Sequence, residues 1–201
     1  MLNEQDKYTQ AWKSGSENNS RTAVYLIPYL QRKINPAWKV LDLGCGNGLV
    51  TETLRQNGIN NIYGADITLE GLNLNKPINK FGSQVNGIIP KKEYYVESPL
   101  WKLPFEDKSF DYTYSTDVIE HIAPEMIESV IKEIYRITRI ATFHCIATFA
   151  DTRGGIEFHL TVQPIEKWIQ QFTALNVQNI NTEIIDRTNY LRNTIPNYNG
   201  L

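Results

Sequence analysis

Nine consecutive residues, Val40, Leu41, Asp42, Leu43, Gly44, Cys45, Gly46, Asn47 and Gly48, constrain what this chain can fold into more than any other stretch. Val40, Leu41 and Leu43 supply a short apolar strand. The alternating glycines then open dihedral angles that a Cβ forbids and let the backbone pass close to a ligand. Residues 49–56 carry a helical pattern ended by Gly58. A strand that breaks into a glycine turn and continues as a helix makes a small-molecule pocket at the strand's carboxyl end, in an α/β layered fold. A dinucleotide fingerprint requires a further glycine where this chain has Leu49. That spacing argues against a nicotinamide-dependent oxidoreductase.

Two further segments follow in order. Residues 62–66 form a second apolar strand that closes on Asp66, about twenty residues past the turn, where an acidic side chain accepts both hydroxyls of a ribose. Residues 103–111 lead into a strand from Tyr112 to Thr116 and then into Asp117, Val118, Ile119, Glu120, His121 and Ile122. Together the three segments resemble class I S-adenosylmethionine (SAM) dependent methyltransferases. The resemblance implies a Rossmann-like α/β fold, a mainly parallel seven-stranded sheet with helices on both faces, and SAM as cofactor. It also implies a set of cofactor contacts at Asp42, Gly44, Cys45, Gly46, Asp66, Ile67, Leu100, Trp101 and Ser115, with Asp42 ordering the turn and the cofactor amine. Ser98 and Pro99 stand where many relatives carry an acid for the adenine amino group, so Glu97 or Ser98 is the substitute there.

The chain has 201 residues, of which 41% are hydrophobic, enough for the core of one domain. Within it, 1–37 reads as an N-terminal helical cap and 38–201 as the sheet core. A formal charge of −2 with no basic stripe disfavours nucleic acid, and DNA in particular. The motifs of amino-methylating and cytosine-C5 DNA enzymes are missing after the fourth strand. Cys45 and Cys145 are the two cysteines, which fits a reducing compartment without a disulfide framework. With no membrane-length apolar run and no signal peptide, the sequence is read as soluble and cytoplasmic.

Helical patterns cover residues 3–13 and 20–33, the second with Ser20 as N-cap and with Pro28 kinking it or delaying its start. Tyr8, Trp12 and Arg21 are candidates there for the methionine end of SAM or for the acceptor. Residues 94–96 read as the third strand, and 71–93 as a long loop, either a lid or disordered. An amphipathic helix is expected over 124–138, a fifth strand over 140–149, a helix over 164–172, a sixth strand over 177–185 and a short seventh over 190–195. His144 reads as a hydrogen-bonded core histidine, and Gly154 and Gly155 as either a flexible loop over the active site or a simple turn.

Asp117, Glu120 and His121 have the i, i+3, i+4 spacing that gathers side chains on one helix face. The segment resembles the Glu-x-x-Glu-His stretch of ubiquinone-pathway O-methyltransferases and small-RNA 2′-O-methyltransferases, in which these side chains bind a divalent metal with a later histidine. His159 matches that later histidine. The resemblance implies a metal set of Asp117, Glu120, His121 and His159, with Asp117 shorter than the usual Glu. Without metal, His121 or His159 is the catalytic base. The expected function is SAM-dependent O-methylation of a small molecule or saccharide. The alternatives are RNA ribose methylation and a SAM-binding module without turnover.

Overall fold

In the computed structural model, which describes residues 3–14, 21–72 and 90–195, the apolar run becomes β1 (Val40–Leu43), buried at every position. The chain packs as two compact units that meet in sequence at Leu100 and Trp101. In the first, α1 (Glu4–Ser14) and α2 (Arg21–Lys33) precede β1, and α3 (Leu49–Gln56) leads to β2 (Ile62–Asp66) and β3 (Tyr95–Glu97). The strand order is β3-β2-β1, all parallel, with Leu43 opposite Ala65 and Asp66 opposite Glu97. Asn3 accepts the Asp6 N–H and so starts α1 one residue later than the pattern suggested. The second helix runs straight through Pro28. Pro28 is exposed, so the carbonyl it leaves without an N–H partner lies on the solvent side. Ser20, and all but the ends of the 71–93 loop, lie outside the described residues.

The second unit holds β4 (Phe110–Thr116), α4 (Ile127–Ile137), β5 (Thr138–Ile146), a two-residue hairpin of β6 (Thr152–Arg153) and β7 (Ile156–Glu157), α5 (Ile165–Leu175), β8 (Asn181–Asp186) and α6 (Arg187–Thr194). β4, β5 and β8 pair in parallel, with Thr116 opposite Cys145 and Cys145 opposite Ile185. Its core is aromatic: Phe110, Tyr114, Tyr135, Phe143, Trp168 and Phe172 are fully buried. Each such side chain contributes roughly 1.5–3 kcal/mol by leaving water. The Tyr135 hydroxyl donates to the Phe172 carbonyl at 3.1 Å, so a polar atom is carried into that core with its partner.

Three parallel strands in each unit, with helices between them, give the expected Rossmann-like α/β fold. The seventh strand expected over 190–195 is instead α6, because Asp186 caps a helix there by accepting the Asn189 N–H at 2.7 Å. β8 also starts later than expected. Asn176 holds Ile180 through both its N–H and its carbonyl, which makes the residues before β8 a turn with Val177 85% exposed. Gly154 and Gly155, at φ 56° and 80°, form the tight two-residue turn of the β6–β7 hairpin, a geometry in which both central residues need positive φ. Among the described residues, no helix is long and apolar enough to cross a membrane.

Candidate functional site

The glycine turn in the first unit has the geometry its composition called for: Gly44, Gly46 and Gly48 lie at φ 73°, 53° and 76°. The Gly44 and Cys45 N–H groups donate to the Ala65 carbonyl, which ties the turn to the end of β2. Asp42, buried at the end of β1, accepts the Thr51 hydroxyl at 2.6 Å and so fixes the start of α3 against the strand. Asp66 reaches across from β2 to accept the Gly46 N–H at 2.8 Å and the Thr68 N–H at 3.3 Å. Burial pushes the Asp66 carboxyl up to about 6. The N–H groups of Gly46, Thr68 and Ile67 pull it the other way, and the Glu97 charge adds to the rise. Burial, with the Asp66 and Asp42 charges behind it, also keeps the Cys45 thiol protonated.

The Trp12 indole lies on this turn. A Cβ built on Gly46 would sit 3.3 Å from the ring, and one on Gly71 2.6 Å from it. Three polar contacts hold α1 in place beside it: Gln5 with Glu97, Thr9 with Thr68, and Lys13 with Glu70. The substitute acid Glu97 is exposed and accepts from Gln5 and from the Leu69 N–H, whereas Ser98 is buried. Leu100 is buried at the end of the first unit.

In the second unit, the structure brings Glu120, His121 and His159 together: one ligand atom from each lies within 4.8 Å of the others. The backbone leaves β4 through Asp117 at φ 55° and enters a 3-10 turn, Ile119–His121. The Thr161 N–H donates to the Glu120 carbonyl and its hydroxyl to the Ile122 carbonyl, which draws the 158–161 segment alongside that turn. The His121 and His159 rings meet edge to face, 4.7 Å between centroids. His159 Nδ1 lies 2.5 Å from the Phe149 carbonyl oxygen, which can only accept, so Nδ1 carries a proton and the lone pair of the neutral ring falls to Nε2. Glu120 is fully buried, and one of its oxygens accepts the Ala147 N–H at 2.9 Å. The other, Oε2, has no hydrogen-bond partner among the described residues. Burial first, then the Asp117 charge, push the Glu120 carboxyl well above the usual carboxylate range, against the pull of the Ala147 N–H and Arg187.

The fourth residue expected in this set is not part of it. Asp117 faces Arg187, whose Nε lies 3.3 Å from its Oδ2. Asp151, which nothing in the sequence singled out, comes within 4.0 Å of His159 Nε2. Burial works to raise the Asp151 carboxyl, but the hydrogen bond and charge of Arg153, with His159 and His121 adding to them, bring it below its ordinary value. Ser115, expected to contact the cofactor, is fully buried with its hydroxyl bonded to His144 Nδ1 at 2.8 Å. His144 has Thr142 on its other nitrogen, and burial holds its pKa down to about 3, so it is neutral. Trp101 is half-buried. Asp151 escaped the sequence because it acts through a fold-made contact, not through a spacing.

The family described as Methyltransferase domain matches residues 41–145, just over half of the 201. The sterol 24-C-methyltransferase of Schizosaccharomyces pombe is 34% identical over 111 residues, 53% of this chain and 26% of that one. The ubiquinone biosynthesis O-methyltransferase of Pelagibacter ubique is 28% identical over 132 residues, 65% of this chain and 50% of that one. The chain thus spans about a quarter to half the length of these curated relatives. Among solved structures, the Burkholderia thailandensis 1,6-didemethyltoxoflavin-N1-methyltransferase, with S-adenosylhomocysteine bound, superposes with a TM-score of 0.59 at 12% identity, covering 85% of this chain and 75% of that one. That likeness is one of fold. The left-handed glycine turn, the acid at the end of β2 and the family match all lead to one assignment: this chain belongs to the class I SAM-dependent methyltransferases.

Proposed function

We propose that this chain transfers the methyl group of SAM to a hydroxyl oxygen of a small-molecule acceptor. The glycine turn and the buried Asp66 fit the cofactor: the turn gives backbone room for its methionine portion, and Asp66 accepts from its ribose hydroxyls. SAM supplies a methyl already activated on a sulfonium, so the protein's share of the work is to hold the acceptor in line and to receive its proton. The observation that carries the reading is His159. Its Nδ1–H is pinned by the Phe149 carbonyl, so in the neutral ring Nε2 carries the lone pair that can take that proton, on a side chain grouped with His121 and Glu120. The S. pombe relative acts, by name, on a sterol and the P. ubique relative in ubiquinone biosynthesis, which supports a small molecule over a polymer.

The test is formation of S-adenosylhomocysteine in a panel of alcohols, phenols, saccharides and carboxylic acids. Product with a hydroxyl acceptor is expected. SAM binding without product across the panel would make the chain a binding module.

A second reading is supported by Glu120. A fully buried carboxylate oxygen with no partner, next to two imidazoles, is the donor set of a first-row divalent cation. Glu120, His121 and His159 would hold it, and its charge would favour the ionised form of the acceptor hydroxyl. Loss of turnover in EDTA and its return with a divalent ion are the outcomes expected of this reading, and turnover indifferent to EDTA leaves His159 as the proton acceptor alone.

A further inference from the structure

We infer that Asp151, and not Asp117, supplies the second carboxylate of a divalent-cation site at Glu120, His121 and His159, an inference that rests on the cation reading above. Asp117 is one carbon shorter than a glutamate at that position, and its carboxylate is already engaged. It lies 3.3 Å from Arg187, which is half-buried and stacks over the Phe149 ring at 5.2 Å. Turning Asp117 toward the histidines would take the anion away from that half-buried guanidinium.

Asp151 reaches His159 through the β6–β7 hairpin. Its carbonyl accepts the Phe158 N–H at 2.8 Å, which closes the base of the β6–β7 hairpin one residue before His159. Its Oδ2 then lies 4.0 Å from His159 Nε2, the nitrogen whose lone pair is available. Arg153, itself packed on the Phe158 ring, grips the Asp151 carboxylate through Nε at 2.9 Å and through Nη2 at 2.5 Å. That grip orients the carboxylate without exhausting it, since two carboxylate oxygens offer about four lone-pair directions.

The distances suit a cation. Ligand atoms about 2.1 Å from a tetrahedral ion stand roughly 3.4 Å apart. Glu120, His121 and His159 each place one ligand atom within 4.8 Å of the others, and Asp151 stands 4.0 Å from His159, so a bound ion would have to draw these groups somewhat closer together. The donor types suit it too, since carboxylate oxygens and imidazole nitrogens are both ligands of divalent ions. The buried Oε2 of Glu120, with no hydrogen-bond partner among the described residues, would gain a partner in the ion.

The experiment is calorimetric titration of the full chain with CoCl2, with the visible absorption of the bound cobalt recorded and SAM affinity measured on each variant as the control for folding. One ion is expected to bind. Asp151→Asn is expected to weaken it at least tenfold, Asp151→Glu to recover most of that loss, and Asp117→Asn to remain within about threefold of the unmodified chain. An Asp117→Asn variant that loses the ion while Asp151→Asn keeps it overturns the assignment. A chain that makes S-adenosylhomocysteine and binds no cobalt overturns the cation site and leaves methyl transfer standing.

Discussion

Asp66 answers two demands that pull its charge in opposite directions. Burial favours the protonated carboxyl and raises its pKa to about 6, whereas the hydroxyl donors of a ribose, in the contact proposed above, would favour the carboxylate. A raised folded-state pKa means that this group's contribution to stability is fully present below the ordinary value of about 3.8 and is lost as pH rises to about 6. SAM affinity has the opposite slope: it rises with pH up to about 6, by at most about tenfold per pH unit, and levels off above. Calorimetry of SAM between pH 5 and 8 checks this, and a dissociation constant flat across that range contradicts it. Asp66→Ala removes charge-assisted bonds of about 1.5–3 kcal/mol, so affinity falls roughly ten- to a hundredfold and its slope with pH disappears. His159 belongs to the other unit and, in the proposed function, takes the acceptor's proton. His159→Ala keeps SAM affinity while turnover falls by about 10²-fold or more, which single-turnover product formation measures. Both residues were legible in the sequence, since each sits at a fixed offset within a motif. Asp151 was not, because it reaches His159 only through the closure of a hairpin.

Elements with a strong period were legible and weakly patterned ones were not. The apolar stripe of α4 (Ile127, Val130, Ile131, Ile134 and Ile137) is buried as its spacing requires. Residues Pro124–Met126, expected as the first turn of α4, form a separate 3-10 turn ahead of it. Residues 190–195 carry too little pattern for local propensity to decide them, and the Asp186 cap settles them as helix. Asp186 holds that junction twice, by accepting the Asn189 N–H and the Thr148 hydroxyl. Asp186→Ala is therefore expected to destabilise the fold by about 1–2 kcal/mol. In a chain of this size that is a fall in melting temperature of roughly 2–8 °C, read by thermal unfolding. Asp186→Asn, which keeps an acceptor, is expected to recover most of it. An unchanged melting temperature for the alanine variant contradicts the capping role.

For the whole molecule, the cofactor preference is a statement about linkage. A ligand that binds only the folded chain stabilises it by about 2.7 kcal/mol at a hundred times its dissociation constant. SAM at that excess is expected to raise the melting temperature by roughly 5–10 °C. NAD at the same concentration is expected to leave it unmoved, because Leu49 stands where the dinucleotide turn needs glycine. Equal shifts for the two ligands, or a shift with NAD alone, contradict the assignment of the glycine turn.

The sequence by itself determined what depends on local geometry: the strand and left-handed glycine turn at 40–48, the acid closing β2, and the Glu120-His121 pair at the end of β4. Backbone dihedrals and residue offsets act over a few positions, and a chain records them directly. The tertiary structure decided which side chains meet. It set Trp12 on Gly46 and Gly71, took Ser115 into the core beside His144, turned Asp117 to Arg187 and brought Asp151 to His159. Each of those contacts joins residues whose separation in sequence bears no relation to their separation in space, and packing and charge pairing choose among them only once the strands are in register.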